Sequence, residues 1–397
     1  MTMALEGVKV LDLSRTPPGQ YATMFLADFG ADVLMIEVPP GAVARFDVKD
    51  HADDPAAARL VAHNALRRNK RAAAINLREP DGLALFRRLI EGADVVVDGF
   101  RPGVTTRLGI DYEALSAINP RVITCSVAGY GRTGPYHAMG GHDINYISIG
   151  GVLGAIGDAE GRPVIPMNLV ADYAAGGLMA AVGVLLALQA RERTGRGQDI
   201  DHAMSDGVTS LMAQYLSAML GVDGGPPPRG VHPLSGGRAH YHVYECADGE
   251  WVSVGAIEPY FFEALCNGLG LPQYVEHQND EARQDEIRRA FAAKFKERTR
   301  DEWFAALRDV DACLTPVLSL DEVVADPHVR ERGLTVEFED ARVGRVTQVG
   351  IAPRLLGTPG AVRRPSAAFG EHTDEVLAEL GHDAAQVASL RERGVVA

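Results

Sequence analysis

The chain has 397 residues, 46% hydrophobic and 23% charged, which is ordinary globular material in an amount that suits two domains better than one core. Its net charge of -14, from 39 basic and 53 acidic residues, argues against a nucleic-acid partner or an anionic membrane surface. Any anionic ligand must therefore be held by local clusters of Arg and Lys.

The opening MTMALEGVKVLDL has no basic region leading into a long apolar stretch, and the closing GVVA is not a peroxisomal address, so a cytoplasmic setting is expected. Four scattered cysteines without CxxC or Cys/His metal spacing agree with a reduced compartment. Val8 to Leu13 reads as a strand, followed by a loop with Pro17, Pro18 and Gly19. Tyr21 to Phe29 reads as a helix closed by Gly30, and Asp32 to Val38 as the next strand. The alternation resumes with strand Ala72 to Leu77, helix Asp81 to Ile90 and strand Asp94 to Asp98. Helix Tyr112 to Ile118 and strand Arg121 to Val127 complete it. This order predicts an α/β, Rossmann-like domain with a parallel sheet. The first turn reads SRTPPGQYA rather than GxGxxG, so NAD or FAD is not expected.

Tyr173 to Leu188 is apolar but only sixteen residues long and contains Gly176, Gly177 and Gly183. A membrane span needs about 20 residues, so a buried helix is expected and membrane insertion is not. Residues 221–237 are Gly/Pro-rich and read as a linker. A hairpin turning at Asp248-Gly249 follows, then helices Pro259 to Leu269, Asp285 to Lys296 and Asp301 to Arg308. These place a smaller α+β domain at 238–333. Residues 1–220 form the large domain, which the tail 334–397, with short strands and a Pro-rich stretch, returns to complete.

Ionisable residues among glycines concentrate in Val127 to Gly177. His142 and Asp143 stand on a glycine-flanked loop, where backbone approaches a ligand closely. Asp172 opens the apolar helix, near the positive end of its dipole. By pattern alone Asp172 reads equally as a helix cap, His142 as a structural loop residue, and Asp143 as the group that orients His142 or caps a turn.

The runs GYGRTGPY, GGHDINYIS and PMNLVADYAAGG, followed by RTGRGQDIDHAMSDG and YECADGEWVSVGAIEPYFFEAL, resemble the family III CoA-transferase superfamily of the CaiB/BaiF type. Within it they look most like the α-methylacyl-CoA racemase branch, and the similarity runs from about Leu5 to about Pro353. The resemblance implies a Rossmann-like large domain, a small domain, and two chains interlocked as a homodimer. It also implies His142 and Asp172 as the catalytic pair and Glu258, in AIEP, as the carboxylate against the histidine. Asp143 and Tyr146 fall on the substrate side. For CoA it implies Arg101, in RPG-x-x, and the basic cluster Arg68, Lys70 and Arg71. Some racemases carry an arginine just after the second strand, where this chain has Val38, and the segment from Ala42 to Ala62 is longer than in the racemase pattern.

The implied chemistry is a 1,1-proton transfer at the carbon α to a thioester. One of His142 and Asp172 removes the proton while the other returns one to the opposite face. Glu258 would set the histidine tautomer, and backbone N–H groups at a glycine loop or helix start would hold the enolate oxygen. Acyl-CoA is then the substrate, with no metal and no further cofactor. Two other readings stand beside this one. In a CoA-transferase, Asp172 would attack the thioester and His142 would have no obligatory role; that branch tends to carry a longer glycine run near Ser235-Gly236-Gly237. In a catalytically dead CoA-binding scaffold, the intact His142, Asp172 and Glu258 would serve no purpose.

Overall fold

Apolar strands separated by helices build a six-stranded parallel sheet in the order β3-β2-β1-β4-β5-β6. The strands are β1 Lys9–Asp12, β2 Asp32–Glu37, β3 Lys70–Ala74, β4 Val95–Asp98, β5 Ile123–Ala128 and β6 Asp199–Ala203. β4 and β5 are buried at every position, as expected of central strands covered on both faces. The computed structural model describes residues 2–40, 55–158, 160–221 and 229–397. Residues 222–228 of the linker at 221–237, and the part of the longer Ala42 to Ala62 segment up to residue 54, therefore lie outside the described residues.

The chain divides into two compact units. One comprises Met1–Gly150, Pro166–Met212 and Pro327–Ala397; the other Gly151–Ile165 and Ala213–Asp326. The expected boundaries at 220 and 334 differ from these by several residues, and the short segment Gly151–Ile165 joins the smaller unit. In the smaller unit the hairpin β7 (Tyr241–Glu245) and β8 (Trp251–Gly255) pairs with β9 (Leu314–Pro316). Gly249 takes the positive φ of +83° that its turn requires. Phe262, Phe291, Phe295 and Trp303 from three helices fill the core behind this sheet.

In the larger unit the C-terminal residues protect the open edge at β3. Backbone of Ala72 exchanges hydrogen bonds with His372, Ala74 donates to Thr373 Oγ1, and Ala397 donates to Ala74. The edge N–H and C=O groups are thereby covered, which removes a template for pairing with another chain.

The apolar helix differs from its expected form. Helical backbone runs for 26 residues, Leu169–Thr194, long and apolar enough by length and composition to cross a membrane. Its first part, Leu169–Leu178, is wound in wide π-type turns, and Met179–Thr194 is α-helical. In the fold it lies on the helix Pro17–Asp28. A Cβ added at Gly177 would come 2.7 Å from the Pro18 carbonyl oxygen and 2.8 Å from the Tyr21 ring. The glycines thus serve close helix–helix approach on one side, while only 39% of the apolar stretch is buried, so the helix is less enclosed than the buried helix expected.

Candidate active site

His142 ends the loop Gly140-Gly141 and caps the helix Asp143–Ile149 with extended backbone; the Asn145 side chain accepts from its N–H at 3.1 Å. Its imidazole is exposed, while Asp143 and Tyr146 on the same helix are buried. Tyr146 explains the glycines around it. A Cβ at Gly129 would stand 2.4 Å from the Tyr146 ring and one at Gly141 would stand 2.8 Å from it, so only glycine leaves room. The Tyr146 hydroxyl donates to the Gly141 carbonyl at 2.5 Å, fixing the loop that presents His142.

Asp172 sits in the first wide turn of Leu169–Leu178, and such turns concentrate at functional sites. Met167, just before it, has a positive φ of 57°, a strained value for a side-chain-bearing residue. Asp143 joins this segment to the His142 helix. Its Oδ2 accepts from Ala171 N–H at 2.7 Å and from Asp172 N–H at 2.9 Å. The motif residue expected on the substrate side is thus a buried strut between the two helix starts.

The electrostatics place His142, Tyr146, Asp172 and Arg101 in one field. Burial raises the proton affinity of the Asp172 carboxyl and the Asp143 charge adds to this, whereas Asn168, donating at 2.9 Å, and His142 oppose it. Burial, then Tyr130 and Asp172, push the Tyr146 hydroxyl up to about 12, against the pull of Arg101. Arg101 is exposed beside the loop: a Cβ at Gly140 would lie 3.2 Å from its guanidinium.

The cluster expected to grip CoA is not at this site. Arg68 is fully buried and donates to Asp28 at 3.0 and 2.6 Å and to the carbonyls of Val349 and Gly350. Lys70, also fully buried, gives all three of its protons to Asp12, Thr23 and the Gln20 carbonyl. Arg71 pairs with Asp32, Glu375 and Glu379. These three cations are engaged with carboxylates and carbonyls of the fold, Arg68 and Lys70 in its interior and Arg71 across to the helix Thr373–Glu379. Glu258 lies in the other unit, exposed, capping the helix Pro259–Gly268.

Charges that sequence reasoning passed over stand elsewhere on the large unit. A cleft of about 200 Å³ opens where the strands end, lined by Leu13, Val38, Asn76 and Phe100 together with Arg15, Arg78 and Arg107. Arg15 lies over the Phe100 ring at 5.7 Å, and burial and the Arg78 charge make it less basic than usual. Among the described residues no carboxylate is in ion-pair range of Arg15, Arg101 or Arg107. The available signal was positional: Arg15 and Arg78 follow the ends of β1 and β3, and Arg107 follows β4. The sheet order reverses between β1 and β4, and ligands of open parallel sheets bind outside such a point. Val38 lines the same cleft.

Alpha-methylacyl-CoA racemase of Homo sapiens is 39% identical over 397 residues, covering 99% of this chain and 98% of that one. The succinyl-CoA–L-malate CoA-transferase beta subunit of Chloroflexus aurantiacus is 33% identical, covering 100% and 98%. The crystal structure of a CaiB/BaiF family protein from Brucella suis superposes with a TM-score of 0.78 at 30% identity, covering 96% of this chain and 100% of that one. The model of CoA-transferase family III matches residues 5–373. With a six-stranded parallel sheet, the racemase-type motifs and these full-length relatives, the chain belongs to CoA-transferase family III.

Proposed function

We propose that this chain is an α-methylacyl-CoA racemase, interconverting (R)- and (S)-2-methylacyl-CoA thioesters through an enolate. The observation that carries the reading is the pairing of His142 and Asp172. Two helix starts joined by the Asp143 carboxylate present an exposed imidazole and a carboxyl of raised proton affinity in one field. A proton α to a thioester is weakly acidic, so the base must be positioned and an acid must wait on the other face. His142 in its neutral form takes the proton from one epimer while protonated Asp172 supplies one to the opposite face. The reverse reaction exchanges the roles. The N–H groups of Asp143 and Ile144, which open the helix ahead of the Asn145 and Tyr146 N–H groups that donate to the His142 carbonyl, suit the developing enolate oxygen. Glu258 enters by its motif alone, as the carboxylate that sets the His142 tautomer.

The CoA phosphates fall to Arg15, Arg78 and Arg107 in the strand-end cleft and to Arg101 beside the loop, which offsets the valine at position 38. The reaction asks for no metal and no redox group. A homodimer accounts for Leu178, Val182 and Leu186, which recur every four residues on one helix face at 39%, 46% and 66% exposure. The cysteines are all free, which suits a cytoplasmic setting.

The test is incubation with a 2-methylacyl-CoA in deuterated water without any carboxylate acceptor. The α-carbon should gain deuterium and epimerise, and His142→Ala and Asp172→Ala should each lose epimerisation by at least ~100-fold. The CoA-transferase relatives support a second reading, in which Asp172 attacks the thioester. Hydroxylamine trapping of a CoA thioester on Asp172, with near-normal turnover by His142→Ala, would establish it over the racemase.

A further inference from the structure

The Asp143 carboxylate does more than a cap requires. Capping the segment at Leu169 uses one acceptor atom, Oδ2, which takes both the Ala171 and Asp172 N–H groups. The other oxygen, Oδ1, is buried with no hydrogen-bond partner. Asn or Ser would cap as well without bringing a charge indoors, and buried orphan oxygens are rare enough to need a cause. We propose that Asp143 is a positioning residue with a second role, in which its charge, clamped to the backbone of Asp172, sets the proton affinity of the Asp172 carboxyl. This rests on the racemase reading, in which Asp172 must alternate between protonated and ionised forms.

The physical case is like-charge repulsion across a short, partly buried gap. The groups facing Asp172 are few. On its own segment stand Asn168, whose amide favours the ionised form, and Tyr173. From the helix Pro17–Asp28 comes Tyr21, edge-on to Tyr173 at 5.1 Å. The His142 helix supplies His142, Asp143 and Tyr146, with Tyr130 and Arg101 acting on Tyr146. From the 199–211 side, His202 is spent on the carbonyls of Ala175 and Gly176, with Asp206 acting on it. Among these, Asp143 is the carboxylate whose charge disfavours ionised Asp172, adding to the effect of burial. His142 and Asn168 pull the other way, so the poise of Asp172 is a balance that one charge can tip.

The sign follows directly. With the Asp143 charge removed, Asp172 ionises at lower pH. In the direction where Asp172 donates its proton, activity is then lost at lower pH than in the wild type. In the direction where Asp172 is the base, activity extends to lower pH. Wild type, Asp143→Asn and Asp143→Ser are compared with both epimers of a 2-methylacyl-CoA in deuterated buffer, across the range where carboxylates and imidazoles titrate. The Asp172 limb should fall by about one pH unit or more in both variants, with the His142 limb and KM little changed. An unmoved limb, with only a uniform loss of kcat, leaves Asp143 a plain cap and overturns the proposal. Titration of Asp172 by its carboxyl carbon resonance, assigned by loss in Asp172→Asn, reads the same shift without turnover. Absent exchange in the wild type would sink the racemase reading alone, and an unshifted resonance would sink this one.

Discussion

Replacing Lys70 by Met should destabilise the protein strongly and leave CoA affinity alone. The ammonium donates to Asp12 Oδ2 at 3.0 Å, Gln20 carbonyl at 2.9 Å and Thr23 Oγ1 at 2.7 Å, and both side chains of the ion pair are fully buried. Burial lowers the basicity of this lysine and Asp12 opposes the loss, so the pair survives only as a pair. Met keeps much of the volume but strands the Asp12 charge with the Ser14 and Thr23 donors. Breaking a buried pair on one side costs about 3–5 kcal/mol. At about 2 °C per kcal/mol for a unit of this size, Tm should fall by ~6–10 °C. The double variant Asp12→Asn/Lys70→Met buries no lone charge and should recover at least roughly half of the loss. Urea denaturation followed by circular dichroism, at fixed protein concentration, gives the stability term. Steady-state kinetics with acyl-CoA gives KM. An unchanged unfolding midpoint together with a raised KM would refute the reasoning and return Lys70 to the phosphates.

The cleft arginines should behave in the opposite way: Arg107→Ala, losing one charge-assisted contact worth ~1.5–3 kcal/mol, should raise KM for acyl-CoA roughly 10- to 100-fold with kcat nearly unchanged. An unaltered KM would remove that cleft from CoA binding. Gly141→Ala places a methyl 2.8 Å from the Tyr146 ring and 3.2 Å from the Tyr130 hydroxyl, so the loop or the ring must shift. Displacing His142 in this way should cost about 100-fold in kcat without lowering Tm appreciably, and normal turnover would show that the loop has slack. Val182→Glu puts a charge in the middle of the exposed stripe and should give a lighter species in sedimentation, where an unchanged mass would place any dimer contact elsewhere.

Much of the large unit was legible because its strands are short apolar runs between amphipathic helices. The helix Tyr112–Ile118 matches its expected span, and β2 ends one residue early. The misses have local causes. The helix after β1 begins at Pro17 rather than Tyr21, because its two prolines read as a loop yet fit a first turn that needs no N–H. β6, with sequence DIDHA, escaped notice because it is an edge strand. It holds a single large apolar residue, Ile200, between two aspartates that are tied laterally to Thr124 and Arg132. The helix Ala384–Glu392 hid in a tail read as strands and prolines, although Asp383 and Gln386 form a capping box at its start.

The site divides along a similar line. His142 and Asp172 were found through motifs, but no motif says which cations converge, and reading Arg68, Lys70 and Arg71 as one patch counted charges without asking where a strand sends them. Lys70 and Arg71 are adjacent on β3, so their side chains leave the sheet on opposite faces. Lys70 and Arg68 meet Asp12 and Asp28 on the side of the helix Pro17–Asp28. Arg71 meets Glu375 and Glu379 on the helix Thr373–Glu379. No single phosphate could have touched all three. Arg15, Arg78 and Arg107 are far apart in sequence and close in space for the converse reason. A parallel sheet gathers the C-terminal ends of its strands at one edge, so Arg15 and Arg78, shortly past β1 and β3, and Arg107, on the helix Val104–Leu108 after β4, become neighbours wherever they lie in the chain. Val38, just past β2, reaches the same edge, which is why the arginine missing there can be replaced by charges carried on the neighbouring strand ends.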